Sequence, residues 1–484
     1  MPWFHEFVAD YWPHIAVVIS LSAGTAAAIH AAMTKRDVRA AIGWVALAIF
    51  SPFFGALLYL VAGINRVRYR RIGQAHDAAD PLLGRSLIQD EDVSGLIPSD
   101  LAAMKTLGDR VAQFPLTHGN RITPLNGGDE AYPAMLQAIE QATRTIALCS
   151  YIFDNDPVGQ RMVRALAAAR ERGVEVRVLI DAIGARYSHP SIVRVLHEAG
   201  VTTGLFMRNA MGLRLAYQNM RSHRKVLVVD GHTAFTGGMN IRAGFTSEYS
   251  GGHPAGDVHF RVEGPIVPQL MTVLAHDWEF ATGESLRNEL WFPVDAVQAF
   301  DDGVPARVVA SGPDRNLGRT LDMILGVLSI ARHHVCIQSP YFLPDQPLIA
   351  ALTIAARRGV QVDVVIPGRN NLRLVDYAMT AQLDQMVVHG VRIWRYNGPF
   401  DHAKLLTVDG KWSYVGSSNL DSRSLRLNFE LDIEIYDPGI ANWIARRIED
   451  RIRQSTPETL ETLRGRPFPI RLRNRLIWLA SPYL

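Results

Sequence analysis

An α/β fold in two related halves, preceded by a two-helix transmembrane hairpin, is what the sequence predicts, and three observations predict it. Two charge-free stretches lie before residue 66, a helix–glycine–strand pattern occurs twice, and a short His/Lys/Asp/Asn pattern occurs once in each copy. The chain has 484 residues, too many for one ordinary domain. Expected boundaries are 1–72 for the hairpin, 73–129 for a linker and lead-in, 130–298 and 299–455 for the two α/β/α domains, and 456–484 for a basic amphipathic tail.

The hairpin comes first. Tyr11 to Thr34 and Ala40 to Asn65 carry no Lys, Arg, Asp or Glu, and each exceeds the roughly 20 residues a helix needs to cross a bilayer. Lys35-Arg36-Asp37-Val38-Arg39 between them suits a short polar loop, and Trp12, Trp44 and Tyr59 lie towards the segment ends, where amphipathic rings favour the headgroup zone. A cleaved signal peptide fits poorly, because residues 1–10 contain Glu6 and Asp10 and no Lys or Arg. Arg66, Arg68, Arg70 and Arg71 after the second span outnumber Lys35, Arg36 and Arg39 in the loop. That bias predicts a multi-pass protein of the inner membrane with its soluble part on the cytoplasmic side, and a basic cluster that attracts anionic headgroups.

The two halves follow. Ala165 to Ile180 and Ala351 to Ile366 each read as a helix, a turn glycine (Gly173, Gly359) and an apolar strand. Strands alternating with helices make each half an α/β layered domain. The tail mixes Arg471, Arg473 and Arg475 with Ile477, Trp478, Leu479 and Leu484. Two readings fit it: an interfacial helix on anionic lipid, or a terminal helix packed on the domain.

Composition narrows the function. With 50 Lys+Arg against 47 Asp+Glu, the net charge of +3 gives no support to a nucleic-acid groove. Cys149 and Cys336 sit in separate apolar runs and read as small buried hydrophobes. No CxxC or HExxH occurs, so neither a metal nor another cofactor is expected.

The chemistry is in the repeat. His223, Lys225, Asp230 and Asn240 are matched by His402, Lys404, Asp409 and Asn419 at the same spacings. Residues i and i+2 of a strand share a face, so each half presents an imidazole and an ammonium on one side. Gly237-Gly238 and Gly416-Ser417 are expected to turn the chain so that each Asn comes back beside them. Two facing halves then supply a neutral imidazole to attack phosphorus, a protonated one to serve the leaving and entering alcohols, and Lys and Asn donors for the phosphate oxygens. The spacing does not rank the two histidines. Asp230 and Asp409, an odd number of residues past the lysines, are expected to face away and to be structural.

These motifs resemble those of the phospholipase D superfamily and, within it, bacterial cardiolipin synthases. Asn219–Ile241, Arg261–Pro265, Ser311-Gly312-Pro313, Pro340-Tyr341-Phe342 and Val415–Ser424 carry the likeness, together with the amino-terminal hairpin. The resemblance implies two pseudo-twofold-related phospholipase D-type domains, a phosphohistidine on His223, and His402 as acid/base. It also implies an acidic residue after each motif that orients a histidine, matched by Asp257 and Glu430. Two departures stand out: Pro254-Ala255-Gly256 precedes Asp257 where Trp-Arg is usual, and Asp401 precedes His402 where an apolar residue is commoner. The implied reaction is phosphatidyl transfer between two phosphatidylglycerols with release of glycerol. Hydrolysis of phospholipid to phosphatidate is the alternative. Implied partners are phosphatidylglycerol, other anionic phospholipids and the bilayer, with phosphatidylethanolamine a further candidate donor and no nucleic acid.

Overall fold

The computed structural model describes residues 2–35, 37–63, 93–207, 220–293 and 298–481. Arg36, the trailing Arg66, Arg68, Arg70 and Arg71, and Asn219 lie outside them, as does 73–92 of the expected linker.

Residues 1–68 form one compact unit and 69–484 another. In the first, helix Pro2–Thr34 includes an apolar stretch, Tyr11–Thr34, of 24 residues and mean hydropathy 1.8, long enough to span a bilayer. The second charge-free stretch is not one long helix. It runs as Val38–Phe50, capped by Asp37, then restarts as Pro52–Leu58 and ends in a π turn, Tyr59–Gly63. Pro52 supplies no N–H to continue the first piece, and Ser51 leaves the helical conformation at φ −140°, ψ 74°. Both pieces pack back on the long helix. Gly24 lies against Ala48 so closely that a Cβ there would sit 2.7 Å from the Ala48 oxygen. His30 Nδ1 bonds the Tyr59 hydroxyl at 2.8 Å.

The second unit is built on a sheet of 16 strands among the described residues. In the first half these are β1 (Thr117–Asn126), β2 (Thr145–Ser150), β3 (Glu175–Asp181), β4 (Thr202–Phe206), β5 (Arg221–Ser222), β6 (Val226–Val229), β7 (Thr233–Gly237) and β8 (Val258–Glu263). The second half supplies β9 (Val304–Ser311), β10 (His334–Gln338), β12 (Gln361–Pro367), β13 (Arg392–Tyr396), β14 (Leu405–Val408), β15 (Trp412–Gly416), β17 (Asn428–Tyr436) and β18 (Ser455–Glu458). Two short strands, β11 (Phe342–Leu343) and β16 (Leu420–Asp421), pair separately.

The order runs β4-β3-β2-β6-β7-β8-β1 and then β9-β17-β15-β14-β10-β12-β13, with β18 at the far edge. Read outward from the β1–β9 junction, the two halves have the same order, as a duplicated unit requires. The repeated helix–glycine–strand units are helix Pro157–Glu171 into β3 and helix Gln346–Arg357 into β12. Gly173 and Gly359 turn at φ +91° and +90°, a conformation that favours glycine. Apolar residues from these helices and strands form a separate core in each half.

Part of the expected lead-in is built into the second unit: β1 is a central strand of the sheet. The lead-in helix Ala102–Val111 buries Met104 in the second half's core, and Asp109 bonds the buried Arg307 at 2.8 Å. In the tail, helix Phe468–Trp478 packs on helix Arg373–Thr380: Arg473 stacks 3.6 Å over Tyr377, and Trp478 Nε1 donates to Gln382 at 3.0 Å. The same helix leaves Phe468 and Leu476 exposed, so it has both a packed face and an apolar open one.

Candidate active site

Each motif occupies the same place in its half. The histidine precedes β6 or β14, and the asparagine follows β7 or β15. These strands form antiparallel hairpins, so the two residue types meet at one end of the sheet. The turn that brings them together is not at Gly237-Gly238, as the sequence suggested, but at the opposite end of the hairpin. There Asp230-Gly231 and Asp409-Gly410 take consecutive positive φ values of +51°, +72° and +54°, +63°. An Asp-Gly pair between apolar strands is itself a hairpin signal, so the residues do contain this information. The Asp230 carboxylate accepts from the backbone N–H groups of Thr143, Arg144 and Thr145, each at 2.8 Å. Asp409 does the same for Arg332, His333 and His334. Both aspartates fasten the far end of the hairpin to its neighbouring strand.

Charged residues next to the histidines have partners of their own. Arg224 reaches Asp277 of helix Val267–Thr282 at 2.5 Å, and both are buried. Asp401, beside His402, is taken up by Arg447 and Arg451, each at 2.9 Å. Burial would raise its carboxyl, but these two guanidiniums hold it well below the ordinary range.

The halves meet at the histidines. The His223 and His402 rings are 6.4 Å apart, centre to centre, and line one cavity of about 710 Å³ with Asn240 and Asn419. The carboxylates are exchanged between halves. His223 Nδ1 donates to Glu430 Oε2 at 3.0 Å and to the Ser417 carbonyl at 3.1 Å. His402 Nδ1 donates to Asp257 Oδ2 at 3.0 Å. Backbone pairing enforces the exchange: β5 runs parallel to the start of β17, His223 N–H bonds the Phe429 carbonyl at 2.9 Å, and His402 N–H bonds the Gly256 carbonyl at 2.7 Å. With Nδ1 of each ring donating to these acceptors, the lone pair falls on Nε2; Lys404 Nζ lies 3.0 and 3.1 Å from Nδ1 and Nε2 of His402.

Further residues support this pair. Ser417 Oγ donates to Glu430 Oε2 at 2.6 Å, and Asn428 Nδ2 donates to Oε1 at 3.1 Å. Gly238 leaves room for Asp257: a Cβ there would sit 2.4 Å from Oδ1. The sequence offers Ser417 only as part of the expected turn, at the place of Gly238 in the first copy, and gives no signal for Asn428.

Lys225 and Lys404 lie behind the rings, donating to the carbonyls of His223 and His402 at 2.5 and 2.6 Å. Burial lowers Lys225 to about 7 and Lys404 to about 8, against pulls upward from Glu430 and Asp257. Burial, then the lysine charges, pushes His223 well below its ordinary value and His402 to about 4. Burial raises Glu430. Burial is the largest single influence on Asp257 and works upward, but the bond and charge of His402, the Lys404 charge and the Val258 N–H together outweigh it and leave Asp257 lowered, a firm carboxylate. Asn240 Oδ1 accepts from Ile152 N–H at 3.0 Å, which leaves its amide N–H₂ for the cavity. Asn419 Nδ2 donates to Ser424 Oγ at 3.2 Å, and its Oδ1 has no partner. Turned about its amide axis, Asn419 would accept from Ser424 and offer N–H to an anion.

The cavity wall is mixed. Phe245, Leu343, Leu372 and Val375 supply apolar surface, and Arg221, Arg242 and Arg423 supply charge. Such a space fits a ligand with an anionic centre and hydrocarbon arms.

Comparisons with known proteins show the family. The family model described as "Cardiolipin synthase, PLD-like domain" matches residues 135–248 and 324–452. A second, "Phospholipase_D-nuclease N-terminal", matches 25–63. Cardiolipin synthase A of Pseudomonas aeruginosa (strain PAO1) is 34% identical over 95% of this chain and 94% of its own length. The cardiolipin synthase of Geobacillus thermodenitrificans is 29% identical over 98% and 96%. Among solved structures, phosphatidylserine synthase from Haemophilus influenzae matches with a TM-score of 0.60 at 16% identity, covering 79% of this chain and 100% of that one. That likeness shows the fold.

Proposed function

From the premise that this chain belongs to the bacterial cardiolipin synthase family of phospholipase D-like proteins, we propose that it is a phosphatidyltransferase that joins two phosphatidylglycerols into cardiolipin through a phosphohistidine. The observation that carries this is the exchanged arrangement of the histidines: two rings on one cavity, each held through Nδ1 by the other half's carboxylate.

Nε2 of His223 attacks phosphorus of the first phosphatidylglycerol, a P–N bond forms, and the P–O bond to glycerol breaks. The departing alkoxide takes a proton from Nε2 of His402. The second phosphatidylglycerol then gives its primary hydroxyl proton to His402 and attacks phosphorus from the side glycerol left. The P–N bond breaks, releasing cardiolipin and a neutral His223. Burial lowers both rings, and it is the different carboxyls beside them that support this division. His223, beside a carboxyl that burial raises, is kept neutral and nucleophilic. His402, against the firmly ionised Asp257, is the ring whose imidazolium is stabilised.

The incoming phosphate places negative charge beside both rings and both lysines and raises all four, so the lysines face it as ammonium ions. Together with Asn240 and Asn419 they offset charge as the five-coordinate phosphorus forms. Asp230 and Asp409 fix the hairpins and take no part in proton transfer.

The long apolar helix, with the second stretch folded on it, anchors the enzyme in the inner membrane as a multi-pass segment. The arginines that follow favour the cytoplasmic face. The apolar cavity wall receives acyl chains, and the open face of the tail helix suits the headgroup layer.

The test is to incubate the purified full-length protein with labelled phosphatidylglycerol and identify the products. Cardiolipin and glycerol in equal amounts support the proposal. Phosphatidate in place of cardiolipin refutes it in favour of hydrolysis.

A further inference from the structure

Three arginines line the catalytic cavity, and they differ in how their charge is used. Arg242 is ion-paired with Asp154 at 2.7 Å. Arg221 is buried and faces the charge of Asp181, which in turn accepts from the Ser222 N–H at 3.1 Å. Arg423 is different. It lies four residues past Asn419, on the short helix Ser422–Arg426, half-buried on the cavity wall. Its guanidinium makes no hydrogen bond or ion pair among the described residues. The nearby Asp421 carboxylate is turned to the Ser424 N–H at 2.7 Å. The charge of Arg423 is felt at Asp421 on the same wall and also at His223, Tyr151 and Arg221. A second cation therefore stands within electrostatic reach of the reacting histidine, on the same cavity and separate from the lysines.

The proposed reaction needs one there. When phosphatidylglycerol is the acceptor, the hydroxyl that attacks the phosphohistidine is three carbons from the acceptor's own phosphodiester. That second anion must enter the cavity beside the first, and the lysines and asparagines are already committed to the transferred phosphoryl group. Without another cation, the acceptor would have to leave water for a site holding a like charge. A planar guanidinium suits a phosphodiester because two parallel N–H groups can take its two free oxygens.

We infer that Arg423 binds the phosphodiester of the acceptor lipid and so selects an anionic glycerophospholipid over water or a neutral alcohol as the group that resolves the phosphohistidine. The inference rests on the transferase reading above and adds the residue that decides between acceptors. Neutral acceptors have no phosphate to place and do not use this contact.

The test compares two acceptors in one tube. Full-length wild-type, Arg423→Gln and Arg423→Lys proteins are given phosphatidylglycerol in mixed micelles with a fixed amount of ethanol, and cardiolipin and phosphatidylethanol are measured together. Both products come from the same phosphohistidine. Their ratio is therefore insensitive to folding, to expression and to any effect of Arg423 on the first step. The expected result is a fall in the cardiolipin-to-phosphatidylethanol ratio of at least about tenfold for Arg423→Gln, the size expected for losing one charge-assisted contact. Arg423→Lys, which keeps the charge but not the fork, should fall between. A ratio unchanged in Arg423→Gln, including a parallel loss of both products, overturns the inference. Wild-type protein that makes phosphatidylethanol and no cardiolipin instead overturns the transferase reading, and this inference with it.

Discussion

Lys225→Met should make the protein more stable while abolishing turnover. The Lys225 ammonium is buried, and burial moves its pKa from 10.5 to about 7. Each factor of ten in proton affinity is worth about 1.4 kcal/mol, so the site disfavours the charged form by about 5 kcal/mol. Methionine has a similar shape and does not pay that penalty. It does lose the donation to the His223 carbonyl at 2.5 Å and the contact 5.4 Å over the Tyr151 ring, together about 1–2 kcal/mol. The net gain is about 3 kcal/mol near neutral pH, which for a domain the size of one half is a rise in apparent Tm of roughly 6–12 °C. The pH dependence follows from the direction of the shift. Between about 7 and 10.5 the unfolded lysine holds a proton that the folded one has shed, so wild-type stability climbs with pH across that window relative to the variant. The advantage of Lys225→Met is therefore full below about pH 7 and fades towards pH 10.5. Thermal melts of the detergent-solubilised protein at several pH values, followed by tryptophan fluorescence, read this directly. A variant that melts below wild type at pH 6–7, or whose advantage grows with pH, would refute the reasoning.

Three further outcomes follow from the same geometry. Asp257→Asn keeps the shape but removes the carboxylate that supports the imidazolium of His402; kcat should fall roughly a hundredfold or more, with the basic limb of its pH profile moved to lower pH, and an unchanged profile would contradict the assignment. In Gly238→Ala the new methyl lies 2.4 Å from Asp257 Oδ1 at a residue with no unusual backbone angle; activity should drop about ten- to a hundredfold with little change in melting, and wild-type activity would show that Asp257 need not be held there. Asp230→Ala strips the partners from three backbone N–H groups and leaves alanine at φ +51°. It should cost about 3 kcal/mol in melts while the protein that stays folded turns over normally, and a loss of turnover without loss of stability would place Asp230 in the chemistry.

Much of this architecture is legible in the residues, and what is not has a common cause. The helix–glycine–strand repeat is local: Gly173 and Gly359 mark the turns, and apolar runs mark β3 and β12. The matched spacing from His223 to Asn240 and from His402 to Asn419 is also local, because it is the length of one hairpin. The turn that sets that length is encoded in Asp230-Gly231 and Asp409-Gly410, although the glycines nearer the asparagines drew the first reading. The exchange of carboxylates depends on long-range pairing, Asn428↔Arg221 and Gly256↔Asp401. No local pattern says that the acid after one motif serves the other motif's histidine. Pro254-Ala255-Gly256, which looked like a weakness beside Asp257, supplies the Gly256 carbonyl that His402 N–H bonds. A Cβ at Gly256 would lie 2.6 Å from the Asp401 carboxyl. The two departures from the family pattern thus occur where they touch. β1 was read as lead-in because a single strand before residue 130 shows its role only when it joins the two sheets.

Quenching the enzyme during turnover with short-chain phosphatidylglycerol under alkaline conditions, which preserve a P–N bond, and mapping the adduct by mass spectrometry tests the central claim most directly. A phosphatidyl group on Nε2 of His223, absent from His223→Asn and accumulating in His402→Asn when the donor is a phosphatidyl-p-nitrophenol, whose leaving group needs no proton, is the predicted result. An adduct on another residue, or continued cardiolipin formation with no adduct and with His223 replaced, would contradict it.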